Sequence, residues 1–199
     1  MKKVLLSVLV AVGLSTTAAH AQGVRLGVKA GASLTSFTGK DIEDVEYKFG
    51  FHGGGVAEIG LSESFAVQPE VLFSMKGAKA EGMGDYRFNQ SYIDVPVLLK
   101  FKADGLFFEV GPQVGFLVGS KFKVDDLSVD SKEAFKTVDL GYAAGLGYQA
   151  ASGPMIGLRY NGGLSKIGKN DSYNGIDIEA GNVRNSAFQL YIGYMFGGK

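Results

Sequence analysis

The sequence predicts an all-β chain: a transmembrane up-and-down antiparallel β-barrel of about eight strands, with four long extracellular loops and three short periplasmic turns. Three observations carry this reading. Eight stretches alternate apolar and polar residues, and none puts a charge on its apolar phase. The connections between them alternate long and short. The chain also opens on an export signal rather than on a strand.

Lys2 and Lys3 form a basic start, Val4 to Leu14 an apolar run, and Ala19-His20-Ala21 a small-x-small cleavage site. The apolar run is too short to span a bilayer comfortably. Residues 1–21 therefore read as a cleaved secretory signal peptide, and 22–199 as a single outer-membrane β-barrel domain. No cysteine is present, so no disulfide or thiolate chemistry is available. The 20 basic and 20 acidic residues balance, which argues against nucleic acid as a partner. Glycine, at 30 of 199 residues, argues against helix throughout.

Strands are expected at about 24–34, 49–61, 65–76, 91–101, 107–119, 137–148, 155–165 and 186–196. A strand has a side-chain period of two, so each carries one apolar face. In the first strand that face is Val24, Leu26, Val28, Ala30, Ala32 and Leu34; in the last it is Phe188, Leu190, Ile192, Tyr194 and Phe196. The short turns are Ser62-Glu63-Ser64, Ala103-Asp104-Gly105 with its hairpin-favouring Asp-Gly pair, and Ala151-Ser152-Gly153-Pro154. The long connections run from Lys40 to Lys48, through Gly77 to Asp85, from Lys121 to Lys136 (room for an extra hairpin, and so for ten strands), and from Lys166 to Asn185. A Greek-key sandwich has no reason to sort its loops this way, whereas a membrane barrel does. A lipid-facing Lys or Arg costs about 2–4 kcal/mol at mid-bilayer, which accounts for the uncharged phase. A soluble lipocalin-like barrel is the alternative; it would carry the same charges on its outside.

The opposite phase holds the charges: Arg25, Lys29, Lys76, Lys100 and Arg159 against Glu58, Glu70, Asp94, Glu109 and Asp139. His52, Gln68, Gln113 and Gln189 join them. An eight-stranded barrel is only wide enough for its side chains to fill, and an unpaired buried charge is costly. These ten groups are therefore expected to form an ion-pair network that plugs the lumen. Pro69, Pro96 and Pro112 fall inside consecutive strands, and a bulge or local pinch is expected near them. With no Trp in the chain, aromatic girdles are expected from Phe65, Phe101, Tyr148, Tyr160 and Phe188.

Tyr92-Ile93-Asp94-Val95-Pro96-Val97-Leu98-Leu99-Lys100 resembles the Tyr-Leu-Glu-Ile-Pro-Leu-Leu-Leu-Lys strand of the outer-membrane beta-barrel domain family, often labelled "porin family". In register with it, Gly27-Val28-Lys29-Ala30-Gly31, Val67-Gln68-Pro69-Glu70-Val71-Leu72-Phe73, Glu109-Val110-Gly111-Pro112, Gly141 to Tyr148, Arg159-Tyr160-Asn161 and Tyr194-Met195-Phe196 also look similar. The resemblance spans nearly the whole mature chain. It implies a small barrel of the OmpA/OmpX type in the bacterial outer membrane, and no reaction. Many such barrels end on an aromatic, whereas this chain continues Gly197-Gly198-Lys199; Tyr194 and Phe196 would then serve as an internal C-terminal assembly signal.

No catalytic, cofactor-binding or metal site is expected. Gly141-Tyr142-Ala143-Ala144-Gly145-Leu146-Gly147 has spaced glycines but no following helix pattern, so phosphate binding is set aside. His52 and Ser33 could be neighbours, as in lipid A-modifying barrels. Glu58, six residues on, is about 20 Å along the strand and cannot complete the set. Asp125, Asp126, Asp130, Asp171, Asp177 and Glu179 could hold divalent cations beside lipopolysaccharide, but read more simply as solvated loop charge. The expected role is structural or surface-interacting. Expected partners are outer-membrane lipid, lipopolysaccharide and the barrel-assembly machinery, with the protein a monomer. A narrow pore for small solutes and a lipid A-modifying enzyme are the alternatives.

Overall fold

A computed structural model describes residues 23–39, 45–81, 85–124, 127–169, 171–173, 176–178 and 181–197; the expected signal peptide lies outside them. Eight long strands close a single antiparallel barrel: β1 (Val24–Thr38), β3 (Lys48–Gly60), β4 (Phe65–Glu81), β5 (Asp85–Ala103), β6 (Leu106–Val124), β8 (Val138–Gln149), β9 (Pro154–Gly163) and β12 (Arg184–Met195). Each pairs with its neighbour in sequence, and β12 pairs back onto β1. A lap along the hydrogen bonds climbs about ten residues, which tilts the strands roughly 40° from the barrel axis.

Four short strands lie outside this wall. β2 (Val45–Glu46) lies on β4. β7 (Leu127–Asp130) folds back on β6, then runs into a one-turn 3-10 helix at Lys132–Ala134. β10 (Asp171–Tyr173) and β11 (Ile176–Ile178) pair only with each other. The Lys121 to Lys136 stretch does hold a hairpin, but β7 is not one of the closed barrel's strands.

The phase read from the sequence matches the wall. Leu26, Val28, Phe51, Val71, Leu99, Val110, Leu140, Leu158 and Ile192 are exposed, while Lys29, Glu70, Lys100, Glu109 and Arg159 are buried. The strands run further outward than expected. Beyond the sequence-predicted ends, Gly77 to Glu81 pair with Asn89 to Asp85, and Lys121 and Lys123 continue β6. The turn between β5 and β6 has positive φ at both Asp104 (49°) and Gly105 (83°), the two-residue geometry that suits strand twist.

The prolines interrupt pairing without shifting register. Ladder pairs are missing at Ala57–Glu58 opposite Gln68–Pro69, at Glu70–Val71 opposite Val95–Pro96, and at Val97–Leu98 opposite Gly111–Pro112. The register shift lies elsewhere: between Ser91 and Tyr92 the partners jump from Gly119 to Leu117, leaving Val118 as the extra residue. Aromatic pairs mark both ends of the apolar band. Phe65–Phe101 (5.2 Å) and Tyr194–Phe196 (5.5 Å) lie near the short turns, and Tyr160–Phe188 (5.0 Å) and Phe51–Phe73 (6.1 Å) lie toward the long loops.

Candidate functional site: the barrel lumen

The inward phase stacks three layers along the barrel. At the short-turn end the Glu58 carboxylate accepts from three cations: Arg25 at 2.6 Å, Lys102 at 2.8 Å and Lys100 at 3.0 Å. Lys100 Nζ also donates to Gln68 Oε1 and Gln149 Oε1 and lies 4.2 Å from the Phe107 ring centroid. Val56, Phe107, Met155, Tyr191 and Met195 pack into an apolar cluster around this end.

The middle layer is the tightest. Arg159 forks onto Glu70 through both terminal nitrogens, at 2.8 and 2.9 Å, and its Nε donates to Glu109 Oε1 at 2.7 Å. Lys29 Nζ donates to Glu70 Oε1 at 2.9 Å, and Tyr191 Oη donates to Glu109 Oε1 at 3.0 Å. The side chains of Lys29, Glu70, Glu109 and Arg159 have no solvent exposure. Gln68 ties the two layers together, accepting from Lys100 and donating to Glu70 at 2.7 Å. Bidentate, charge-assisted pairs of this kind are the strong members of their class, and their worth depends on every charge being met.

The outer layer is looser. Lys76 pairs with Asp94 at 2.8 Å and lies over the Tyr92 ring. Asp139 accepts from the neutral Asn185 and Ser165, each at 2.9 Å. Ser33 Oγ and His52 Nδ1 share a hydrogen bond at 2.9 Å, while His52 Nε2 has no partner among the described residues. Ser74, Gln90, Asp94, Asn161, Asn185 and Gln189 each keep an unpartnered buried polar atom at this level. A cavity of about 10 Å³ between Lys76, Gln113, Asp139, Asn161 and Asn185 has room for about one water. Above it, Phe37, Ala78 and Ile167 form an apolar lid with Val45, Phe88, Phe135 and Val183.

Nine of the ten predicted lumen residues thus make direct ion pairs, and Asp139 is held by neutral donors. Lys102 was missed because the expected strand stopped at 101, although it continues the inward phase of Lys100. The lid is not legible either, since Phe37, Ala78 and Phe88 sit on strand extensions beyond the expected ends, and Val45, Phe135, Ile167 and Val183 sit on the short β2 and on connections that share no period. His52 and Ser33 do meet, and among the described residues no carboxylate hydrogen-bonds the ring. Tyr194 and Phe196 are exposed on the lipid face. Of the loop acids, Asp130 accepts from the Lys132 backbone. Asp125, Asp126 and Glu179 lie outside the described residues, and for Asp171 and Asp177 only the backbone is described.

An eight-stranded closed barrel, uncharged outside and ion-paired within, is the architecture of a small integral outer-membrane protein. The chain belongs to the outer membrane protein beta-barrel domain family, whose profile matches residues 19–168. It is similar in fold to the attachment invasion locus protein Ail of Yersinia pestis, solved in complex with the heparin analogue sucrose octasulfate, at 17% identity and a TM-score of 0.50; the match covers 87% of this chain and 99% of that one. It is similar also to Neisserial surface protein A, at 14% identity and a TM-score of 0.54, covering 86% of this chain and 97% of that one. No curated protein matches the sequence. The protein is thus an outer-membrane β-barrel of a bacterial envelope.

Proposed function

We propose that this barrel has a structural or surface-interaction role in a Gram-negative outer membrane and that its lumen is closed to solutes. The carrying observation is the Glu70–Arg159–Glu109 bridge, which joins β4, β9 and β6 across the interior with no exposed side chain. Opening a path would separate these charges in a narrow, poorly hydrated space, at about 3–5 kcal/mol for each broken pair. The apolar lid supports the same reading from the other end.

Interaction then belongs to the extracellular connections. At its outer end β6 pairs with β5 on one side and with β7 on the other, and β7 presents Leu127 and Val129 at 74% and 61% exposure. Lipid and lipopolysaccharide are the expected neighbours of the wall. A cleaved signal peptide would deliver the chain, and Tyr194 and Phe196 would present the last strand to the assembly machinery. The barrel would work as a monomer, without nucleic acid and without a catalytic role.

Single-channel recording in planar bilayers tests the closed lumen. The unaltered protein is expected to give no steady openings. Steady openings that increase in Arg159→Gln or Glu109→Gln would instead establish a narrow pore for small solutes.

A further inference from the structure

The short-turn mouth of the barrel holds a pocket of about 390 Å³, open to the periplasmic side. Its floor and its rim carry opposite charges. On the floor, Arg25 and Lys102 share the single carboxylate of Glu58 with Lys100, which is buried beneath them, so this cluster carries two positive charges in excess. Lys100 spends its three N–H groups on Glu58, Gln68 and Gln149. Arg25 and Lys102 each spend only one on Glu58, so most of their donors remain for a ligand. Their side chains are 26% and 24% exposed, enough to reach the opening while staying anchored. On the rim, Glu63 and Asp104 sit exposed on two of the short turns and line the same pocket.

We infer that this mouth is a binding site for a small zwitterion, a ligand bearing a carboxylate and an ammonium group in one molecule. The carboxylate would seat on Arg25 and Lys102, and the ammonium would face Glu63 and Asp104. A simple anion would be attracted by the floor but repelled by the rim, and a simple cation the reverse. Only a dipolar ligand satisfies both. The volume suits an amino acid or a short peptide terminus. The ion pairs above Lys100 make the pocket a dead end, so a ligand is retained there rather than passed through. The inference goes beyond the proposed role and is read by binding, not by conductance.

The test uses the folded protein in detergent micelles and the dipeptide Ala-Ala, alongside its N-acetylated form (anion only) and its C-amidated form (cation only). Binding is followed by titration calorimetry at fixed ionic strength. The zwitterion should bind saturably, and each blocked form at least about tenfold more weakly. Lys102→Gln and Glu63→Gln should both weaken binding of the zwitterion several-fold. Glu63 lies on an exposed turn, so its variant leaves the fold intact and keeps the test sound even where Lys102→Gln disturbs the Glu58 cluster. Absence of saturable binding would overturn the site. So would an acetylated peptide binding as well as the free one, or tighter binding in Glu63→Gln, either of which would indicate a plain anion site.

Discussion

The inner and outer halves of the lumen are built from the same residue types to different standards. In the inner half, carboxylates are shared: Glu58 by three cations, Glu70 by Lys29 and Arg159. Among the described residues, one carboxylate oxygen, Glu109 Oε2, is left without a partner at this level. In the outer half, Lys76–Asp94 stands as a single pair, Asp139 is held by neutral groups, and unpartnered polar atoms gather around His52, Gln90 and Asn161. The difference teaches where closure is enforced. The inner layers lock the wall by charge, and the outer layer is a small polar chamber sealed from above by the apolar lid.

The comparison breaks most visibly at Arg159. Arg159→Met leaves Lys29 as the one cation facing both Glu70 and Glu109 in the middle layer, and urea unfolding in micelles should show a loss of about 3–5 kcal/mol. A loss below about 1 kcal/mol would mean that the middle layer is no lock. Lys76→Met removes one partner of a single pair in the outer chamber, where Lys76 lines a cavity with room for about one water. A smaller loss, about 1–2 kcal/mol, is expected there. The double variant Lys76→Met/Asp94→Leu should recover most of it. Equal losses at Arg159 and Lys76 would erase the distinction between the halves. The smallest effect on global unfolding should come from Ile167→Ala, in the lid. Its unfolding midpoint should stay near that of the unaltered protein, while amide exchange of Ser33, His52 and Asn161 speeds up severalfold. Unchanged exchange would show that the lid does not seal the chamber.

The barrel was legible because lipid polices one face. No charge can occupy the outward phase within the bilayer, so alternation, register and inward set follow together for residues such as Val28 against Lys29 or Leu158 against Arg159. That policing stops at the outer membrane surface. Past it, Lys79, Arg87, Lys121 and Lys123 stand on the outward phase of strands that continue unbroken, which is why the strands were read too short. The prolines marked places where pairing fails, but not the bulge at Val118, which carries no residue signal of its own. Within the lumen, spacing could name the charges but not their partners. Which cations converge on Glu58 depends on strand stagger, and a single chain read in isolation does not specify it.

The unequal heights of the wall carry a consequence of their own. β5 and β6 are each 19 residues long, while β9 has 10. At about 3.3 Å per residue and the strand tilt, the strands on one side of the rim stand roughly 20 Å above those on the other. The molecule is a cylinder cut obliquely, and it has a windward and a lee side. Along β5 and β6 the strands themselves form a parapet, while along β9 they form a low sill above which the connection carrying β10 and β11 begins.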